Sequence, residues 1–429
     1  MAVLPDRTMG GEMNSTRRWV RAVARAAACA AILVAGAAAG SAQQKPKIRT
    51  ITAFVRLDPS RYEQQVAAAL EFLQKAEGVY QRGGFEVESL RIVTQPFPRF
   101  TQDMTPEAAM AFFTNLDALA AKDDLEICVG PVMTLDSDNP LEAEKLAQVL
   151  SRTTHLYGSI VIAGSDGIHW KAIRAAAGII KYLENDTPHS EGNFRFAALA
   201  MVPENSPFFP AAYHDSFGRQ FAVGVESASV VAEVLAQRQD PATMRRAIVA
   251  QLGLALNSVD GFGSILDEQT GWDFLGIDLS PAPAKDDSIG AAIETASGAK
   301  LGAPGTLSIV AVITGALNDI MLKKIGLNGL MLPVLEDSRI AQRWGEGALT
   351  LDDLLSYSSV CATGLDAVPL PGDVSVEEIE RILGDVASLS VKWSKPLTAR
   401  LLPVQGKRAG DRTGFDDPRL VNTTLQPLP

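Results

Sequence analysis

The sequence predicts a single α/β barrel with its helices outside, and three observations carry that expectation. From Ile48 onward, apolar runs of strand length alternate with stretches of helical period, the mark of a parallel sheet flanked by helices. No linker rich in Gly, Ser or Pro divides the chain, and no internal repeat is visible. The 429 residues are 47% hydrophobic, 6% aromatic and 21% charged, an ordinary globular composition that can bury a large core. Barrels are the standing exception to the rule that chains of this length divide into domains.

The chain opens on a segment expected to lie outside the fold. Arg17, Arg18, Arg21 and Arg25 precede a small-residue apolar run from Ala26 to Ala39, which ends in Gly40-Ser41-Ala42 before Gln43. Charged region, apolar region and small-x-small cleavage site then stand in the order of a signal peptide, and the run is too short to span a membrane. Thr16-Arg17-Arg18-Trp19-Val20-Arg21 also resembles a twin-arginine signal, with Arg21 where an apolar residue is usual, so both export routes stay open. Met13 is an alternative start. Residues 1–42 are thus a leader and residues 43–429 one barrel domain, expected to be periplasmic or secreted.

Within that domain strands are expected at residues 49–57, 86–94, 125–132, 159–163, 194–202, 273–279, 329–332 and 398–402. Helices are expected at 61–82, 106–121, 141–152, 168–184, 225–235, 242–257, 306–324 and 376–392. Thr105-Pro106-Glu107 and Ser375-Val376-Glu377-Glu378 are strong helix starts, a capping hydroxyl followed by acids in the first turn. The net charge of −11 becomes about −14 without the leader, which excludes nucleic acid and anionic membrane as natural partners. The expected partner is a small-molecule ligand, with a homo-oligomer allowed and no membrane contact once the leader is cleaved. Cys29 falls in the leader, so no disulfide framework exists; Cys128, in an apolar run, reads as a buried strand cysteine.

The candidate chemistry lies at strand ends. Asp278 and Ser280 follow the apolar run 273–277, and Glu336 and Asp337 follow 329–335. His214 ends an aromatic, proline-rich loop, and Arg400 leads to Gly406, Lys407, Gly410 and Asp411. In a parallel barrel these loops share the C-terminal mouth, where sites of such folds are built. Each has a structural reading beside the functional one: Asp278 as a turn residue, Asp337 as a helix cap, His214 as a packed histidine, the glycine-rich turn as a solvated tail. Cys361, in Ser358-Ser359-Val360-Cys361-Ala362-Thr363-Gly364-Leu365-Asp366, stands where a strand end meets a glycine turn and the acid Asp366. Backbone amides there could hold a thiolate or an oxyanion, or Cys361 could be a small buried residue. His155, His169 and His189 lack metal-ligand spacing, so no metal is expected and no cofactor is indicated.

Several blocks resemble a known family. Asn193-Phe194-Arg195-Phe196, Phe209-Pro210-Ala211-Ala212-Tyr213-His214, Gly276 through Pro283, Leu330 through Asp337, Tyr357 through Asp373, and Lys395 through Pro403 with Gly406-Lys407 and Gly410-Asp411 resemble the domain of unknown function 711 family, in order and over essentially the whole mature chain. The resemblance implies a ten-stranded α/β barrel like that of pyruvate formate-lyase-like proteins, and it implies no settled activity. Radical chemistry at Cys361 is not expected, because no Arg-Val-x-Gly-Tyr type glycyl loop is present near the C-terminus and fold does not carry function. Members of that family commonly look cytoplasmic, so the leader is a departure.

Two functions compete. The first is a lyase- or hydrolase-type enzyme acting on a small polar or anionic metabolite. It would use Cys361, Asp278, Glu336, His214 or Asp366 as nucleophile, acid or base, with Arg400, Lys407, Gly406, Asp411 and Ser280 holding the substrate. The alternative is a non-catalytic periplasmic binding or sensing protein. Metal assistance through His214, Asp278 and Glu336 is a third chemistry, without spacing to support it.

Overall fold

The computed structural model describes residues 45–361 and 363–428. The expected leader and Cys29 lie outside the described residues. Lys45 onward forms one compact unit.

The fold is mixed α/β with a ten-stranded sheet: β1 (Lys47–Phe54), β2 (Leu90–Val93), β3 (Glu126–Pro131), β4 (Leu156–Gly164), β5 (Gly167–Ile168), β6 (Phe196–Ala200), β7 (Gln220–Glu226), β8 (Asp273–Asp278), β9 (Gly364–Pro371) and β10 (Leu397–Val404). Their order is β8-β7-β1-β2-β3-β4-β6-β10-β9, with β5 a hairpin partner of β4. The expected parallel arrangement needs correction in strand direction, and of the expected barrel the structure shows the mixed α/β fold and the ten strands. Strands β1, β2, β3, β4 and β6 run parallel to one another, while β7 is antiparallel to β1 and β10 is antiparallel to β6. Strand β8 follows β7 and β9 follows β10 in parallel. The last four strands therefore finish at the end of the sheet where the first group begins, and the ladder itself stays open at β8 and β9.

Both open edges meet one irregular segment. The strand expected at 329–332 forms no ladder; instead Ile277 N donates to Lys323 O (2.8 Å) and Ile325 N to Ile277 O (3.1 Å) on the β8 side. On the β9 side Val334 N donates to Asp366 O (3.0 Å), and Thr363 Oγ1 to Leu330 O (2.8 Å). Strand β9 escaped the sequence reading because it carries Pro369 and Pro371, which lack the N–H that an interior strand needs and are at home on an edge. Strand β7 was missed because its apolar end was read as the start of a helix that in fact begins at Ala228.

Helices cover the outer face. Pro241–Thr270 is much longer than the expected 242–257, and its buried residues Met244, Ile248, Leu252, Leu256, Val259, Gly263 and Leu266 recur every three or four positions, the stripe of a surface helix. Both expected helix starts are capped: Thr105 accepts from Ala108 N, and Ser375 and Glu378 form a reciprocal capping box. The inner face is filled by the loop after β6. There Phe209 and Ala212 pack with Phe54, Val93, Cys128, Tyr157 and Ala222, and the Cys128 thiol donates to Ala212 O at 3.0 Å. Cys128 is the buried strand cysteine that the sequence indicates.

Contact between β8 and the 323–325 segment depends on Gly276. Its φ is +131°, and a Cβ there would stand 2.5 Å from Lys323 O, a backbone atom that cannot yield cheaply. Gly276→Ala is therefore expected to destabilise by about 2–4 kcal/mol through strain and loss of this contact. Gly178 lies exposed in the helix Trp170–Asp186 with nothing near its Cβ position, so Gly178→Ala should stabilise by about 0.5–1 kcal/mol. Urea unfolding midpoints of the two variants check the opposite signs.

Candidate functional site

A cleft enclosing about 700 Å³, its opening included, lies where β7 and β8 finish and β1, β2 and β4 begin, with side chains from within β9 and β10 reaching it. Residues from both strand groups line it: Arg49, Arg91 and Tyr157 near strand starts, and Gly224, Asp278, Asp366 and Arg400 from the returning strands. The reversal of strand direction is thus what brings them together.

Breaks in the ladder aim the key side chains. Pairing of β1 with β7 shifts between Ile48 and Thr50, leaving Arg49 without a partner, and Arg49 and Thr50 both line the cleft. On β10 the register jumps from Ala399 opposite Leu365 to Leu401 opposite Val368, so Arg400 faces both Asp366 and Ala367. Ala367 has φ +47°, a left-handed conformation that costs a non-glycine residue of order 1 kcal/mol. Bulges of this kind re-aim side chains beside functional sites.

At the floor of the cleft the buried Arg400 guanidinium holds two carboxyl groups. Its Nε donates to Asp366 Oδ1 at 2.7 Å, and its Nη2 reaches Asp366 Oδ1 at 2.6 Å and also Glu336 Oε2. Arg49 Nη2 approaches the other Glu336 oxygen at 3.4 Å. Burial disfavours charge on both acids, but the outcome differs. At Glu336 the positive charges of Arg400 and Arg49 outweigh burial and the pKa is lowered. At Asp366 burial wins, with the Glu336 charge adding to it against Arg400, and the pKa is raised.

A second network forms the wall. Arg91 Nε donates to Glu126 Oε2 at 2.6 Å, Arg419 Nη1 to Glu126 Oε1 at 2.8 Å, and Tyr157 OH to the same oxygen. Burial opposes the Glu126 charge, but Arg91, Tyr157 and Arg419 together draw its pKa down to about 2. Phe194 lies between two guanidiniums, with Arg400 Cζ 4.6 Å and Arg419 Cζ 4.8 Å from its ring centre.

The residues singled out from sequence divide into three groups. Glu336, Asp366 and Arg400 meet directly, while Asp278 and Ser280 line the same cleft in a different role. Asp278 accepts from Ser280 N and Oγ, Leu327 N and Asn328 N, clamping the end of β8 to the 326–329 segment. With burial raising its pKa and these four donors aimed at it, Asp278 acts as a structural clamp. Asp337 is the cap of the helix Ser338–Gly345, as its position before Ser338 indicates.

The remaining residues lie elsewhere. Cys361 is buried in the main core, ahead of the first residue of β9 and with Thr363 Oγ1 3.9 Å from its sulfur; it does not line the cleft, because β9 carries the chain toward the site from the opposite end. His214 is buried edge-on to Phe54, its Nδ1 accepting from Ser216 N at 3.2 Å, and burial lowers its pKa. Gly406, Lys407 and Asp411 belong to a turn past β10 that binds the chain itself: Lys407 O accepts from Gly372 N, and Asp411 Oδ2 from Arg408 N. They are not brought to Arg400.

Sequence reasoning missed Arg49, Arg91, Glu126, Tyr157, Glu226 and Arg419. It searched only C-terminal strand ends, whereas the first four begin their strands. The available signal was a charged residue opening an otherwise apolar strand, as at Arg49, Arg91 and Glu126. Arg419 comes from the terminal segment, which no pattern ties to the sheet; Val421 N donates to Leu335 O (2.7 Å) and places it there.

Comparison with known proteins agrees with the sequence resemblance. The family described as Uncharacterised ACR (DUF711) matches residues 41–416. A UPF0210 protein of Pyrobaculum aerophilum is 32% identical over 396 residues, covering 85% of this chain and 86% of the relative. A UPF0210 protein of Methanocaldococcus jannaschii is 26% identical over 377 residues, 82% of each chain, and one from Bifidobacterium longum subsp. infantis is 25% identical over 407 residues, 87% of this chain and 89% of the relative. The chain belongs to the uncharacterised DUF711 (UPF0210) family.

Proposed function

We propose that the protein is an acid–base enzyme of lyase or hydrolase type acting on a small anionic metabolite in the cleft above Arg400. The observation that carries this reading is the pair of carboxyl groups on one buried guanidinium, with Glu336 lowered and Asp366 raised in pKa. Titratable neighbours whose environments push them apart are the usual arrangement of an acid and a charged partner. Asp366 is assigned the proton-transferring role. Glu336 stays ionised and orients Arg400, while the arginine-rich lining favours an anion. The same arginine-rich lining would also suit a second reading, a binding or sensing protein that holds an anion without converting it.

The barrel is part of the proposal too. Segment 323–335 is taken as the seam that brings the open edges β8 and β9 together, supported by its hydrogen bonds to both. Export is supported by the sequence of residues 1–42, in which a charged stretch, an apolar run and a small-residue cleavage site follow one another, and by a family match that begins at residue 41.

Two experiments follow. Incubation of the protein with a metabolite mixture, read by untargeted mass spectrometry, should show a small anion consumed by the wild type and left intact by Asp366→Asn, with activity reduced at least about 100-fold. Binding without conversion would favour the sensing protein. N-terminal sequencing of the protein recovered after full-length expression should begin at Gln43, and an intact leader on folded protein would contradict export.

A further inference from the structure

Outside the Arg400 cluster, the cleft widens into a vestibule that Arg49, Glu88, Glu226 and Lys285 help to line. Glu226 ends β7 and pairs in register with Lys47 of β1. Its side chain is only 3% exposed, and its Oε2 has no hydrogen-bond partner, an arrangement that is costly unless a ligand or a proton completes it. Arg49 Nη1 stands 3.6 Å from that oxygen, beyond hydrogen-bond reach, and its other contacts, Pro283 O and Glu336 Oε1, are at 3.4 Å. Among the guanidiniums of the cleft, Arg91, Arg400 and Arg419 each hold a carboxylate within 2.8 Å. Arg49 is the least committed, and the bulge in β1 turns it toward the opening.

We propose that Arg49 and Glu226 form the anchor for a carboxylate group of the ligand, Arg49 pairing with its charge and Glu226, as the neutral acid, donating a hydrogen bond to it. This names the anionic group of the metabolite and rests on the cleft being the ligand site. The two roles are complementary: an ionised Glu226 would compete for Arg49 and repel a carboxylate, whereas a protonated one adds a donor. The charged groups facing Glu226 are Lys47 and Arg49 on β1, Glu88 before β2 and Lys285 in the loop after β8. Burial, followed by the contact with Glu88, raises the Glu226 pKa to about 8 against the pull of Arg49 and Lys47. Carboxylate binding should then be constant below pH about 8 and weaken roughly tenfold per pH unit above it. The same shift sets a stability signature. Because the folded pKa lies above the unfolded one, the contribution of Glu226 is fully present below the ordinary glutamate range and is lost as pH rises toward about 8.

The test uses formate and acetate as probes, followed by ligand-observed NMR on the folded protein at about pH 6 and about pH 9, where both probes are ionised. Wild type is expected to bind at the lower pH and about tenfold more weakly at the higher. Glu226→Gln, which keeps a neutral donor, should bind alike at both and should flatten the fall of thermal stability between the two pH ranges; Arg49→Met should bind at neither. Absence of binding by wild type at about pH 6, or an unchanged pH dependence in Glu226→Gln, overturns the anchor. Asp366 lies outside the anchor, so Asp366→Asn should still bind acetate. Loss of turnover in that variant with binding intact bears on proton transfer alone, and failure of carboxylate binding beside intact turnover bears on the anchor alone.

Discussion

A guanidinium cannot be discharged inside a protein, and the architecture of the site follows from burying one. Arg400 is 5% exposed, and stripping water from such a charge costs several kcal/mol unless oppositely charged groups with good geometry replace it. Asp366 comes from the neighbouring strand, Glu336 from the segment crossing between the sheet edges, and the Phe194 ring covers one guanidinium face. Each partner is delivered by a different part of the chain. Strand β9 must bulge at Asp366 and Ala367, the 323–335 segment must run beside β9, and the terminal segment must bring Arg419 to the Phe194 ring. A single desolvated cation thereby ties the register of the last strands to the shape of the cleft.

Two acids on one cation leave the cluster unbalanced, and the imbalance is its chemical content. Arg49 lies nearer to Glu336, so Glu336 takes the larger share of positive charge and ionises readily, while Asp366 faces burial and the negative charge of Glu336 together. The division arises from position alone, since both side chains are carboxylic acids. The outer network reaches the opposite balance: Glu126 sits between Arg91 and Arg419 and is held firmly charged. The wall is electrostatically fixed, whereas burial raises the pKa of Asp366 at the floor and of Glu226 further out.

Much of this was legible in the sequence, for identifiable reasons. The helix Leu141–Arg152 announces itself by periodicity, Val376–Trp393 by periodicity and its cap, and Asp337 by its place ahead of Ser338. Strand direction left no such mark. The spacing of apolar runs is alike for parallel and antiparallel neighbours, so the reversals at β1/β7 and β6/β10 were invisible, and only C-terminal strand ends stood out as places for a site. That explains why Glu336, Asp366 and Arg400 were found while Arg49 and Arg91, at strand starts on the same end, were not. Cys361 drew attention because a cysteine beside glycine and acid resembles a reactive turn; the pattern gave no indication that β9 carries Asp366 to the cleft and leaves Cys361 behind in the core. Bulges, which aim Arg49 and Arg400, depend on pairing between distant strands and have no local signature.

The account turns on the different protonation behaviour of two carboxyl groups bound to one arginine. The most direct measurement is a carboxyl carbon-13 NMR titration of the folded protein, with Asp366→Asn and Glu336→Gln used to assign the two signals. The account predicts that Asp366 titrates above the usual aspartate range and Glu336 below the usual glutamate range, each moving when the other is replaced. Ordinary, independent titration of both groups, or the reverse order, would contradict it.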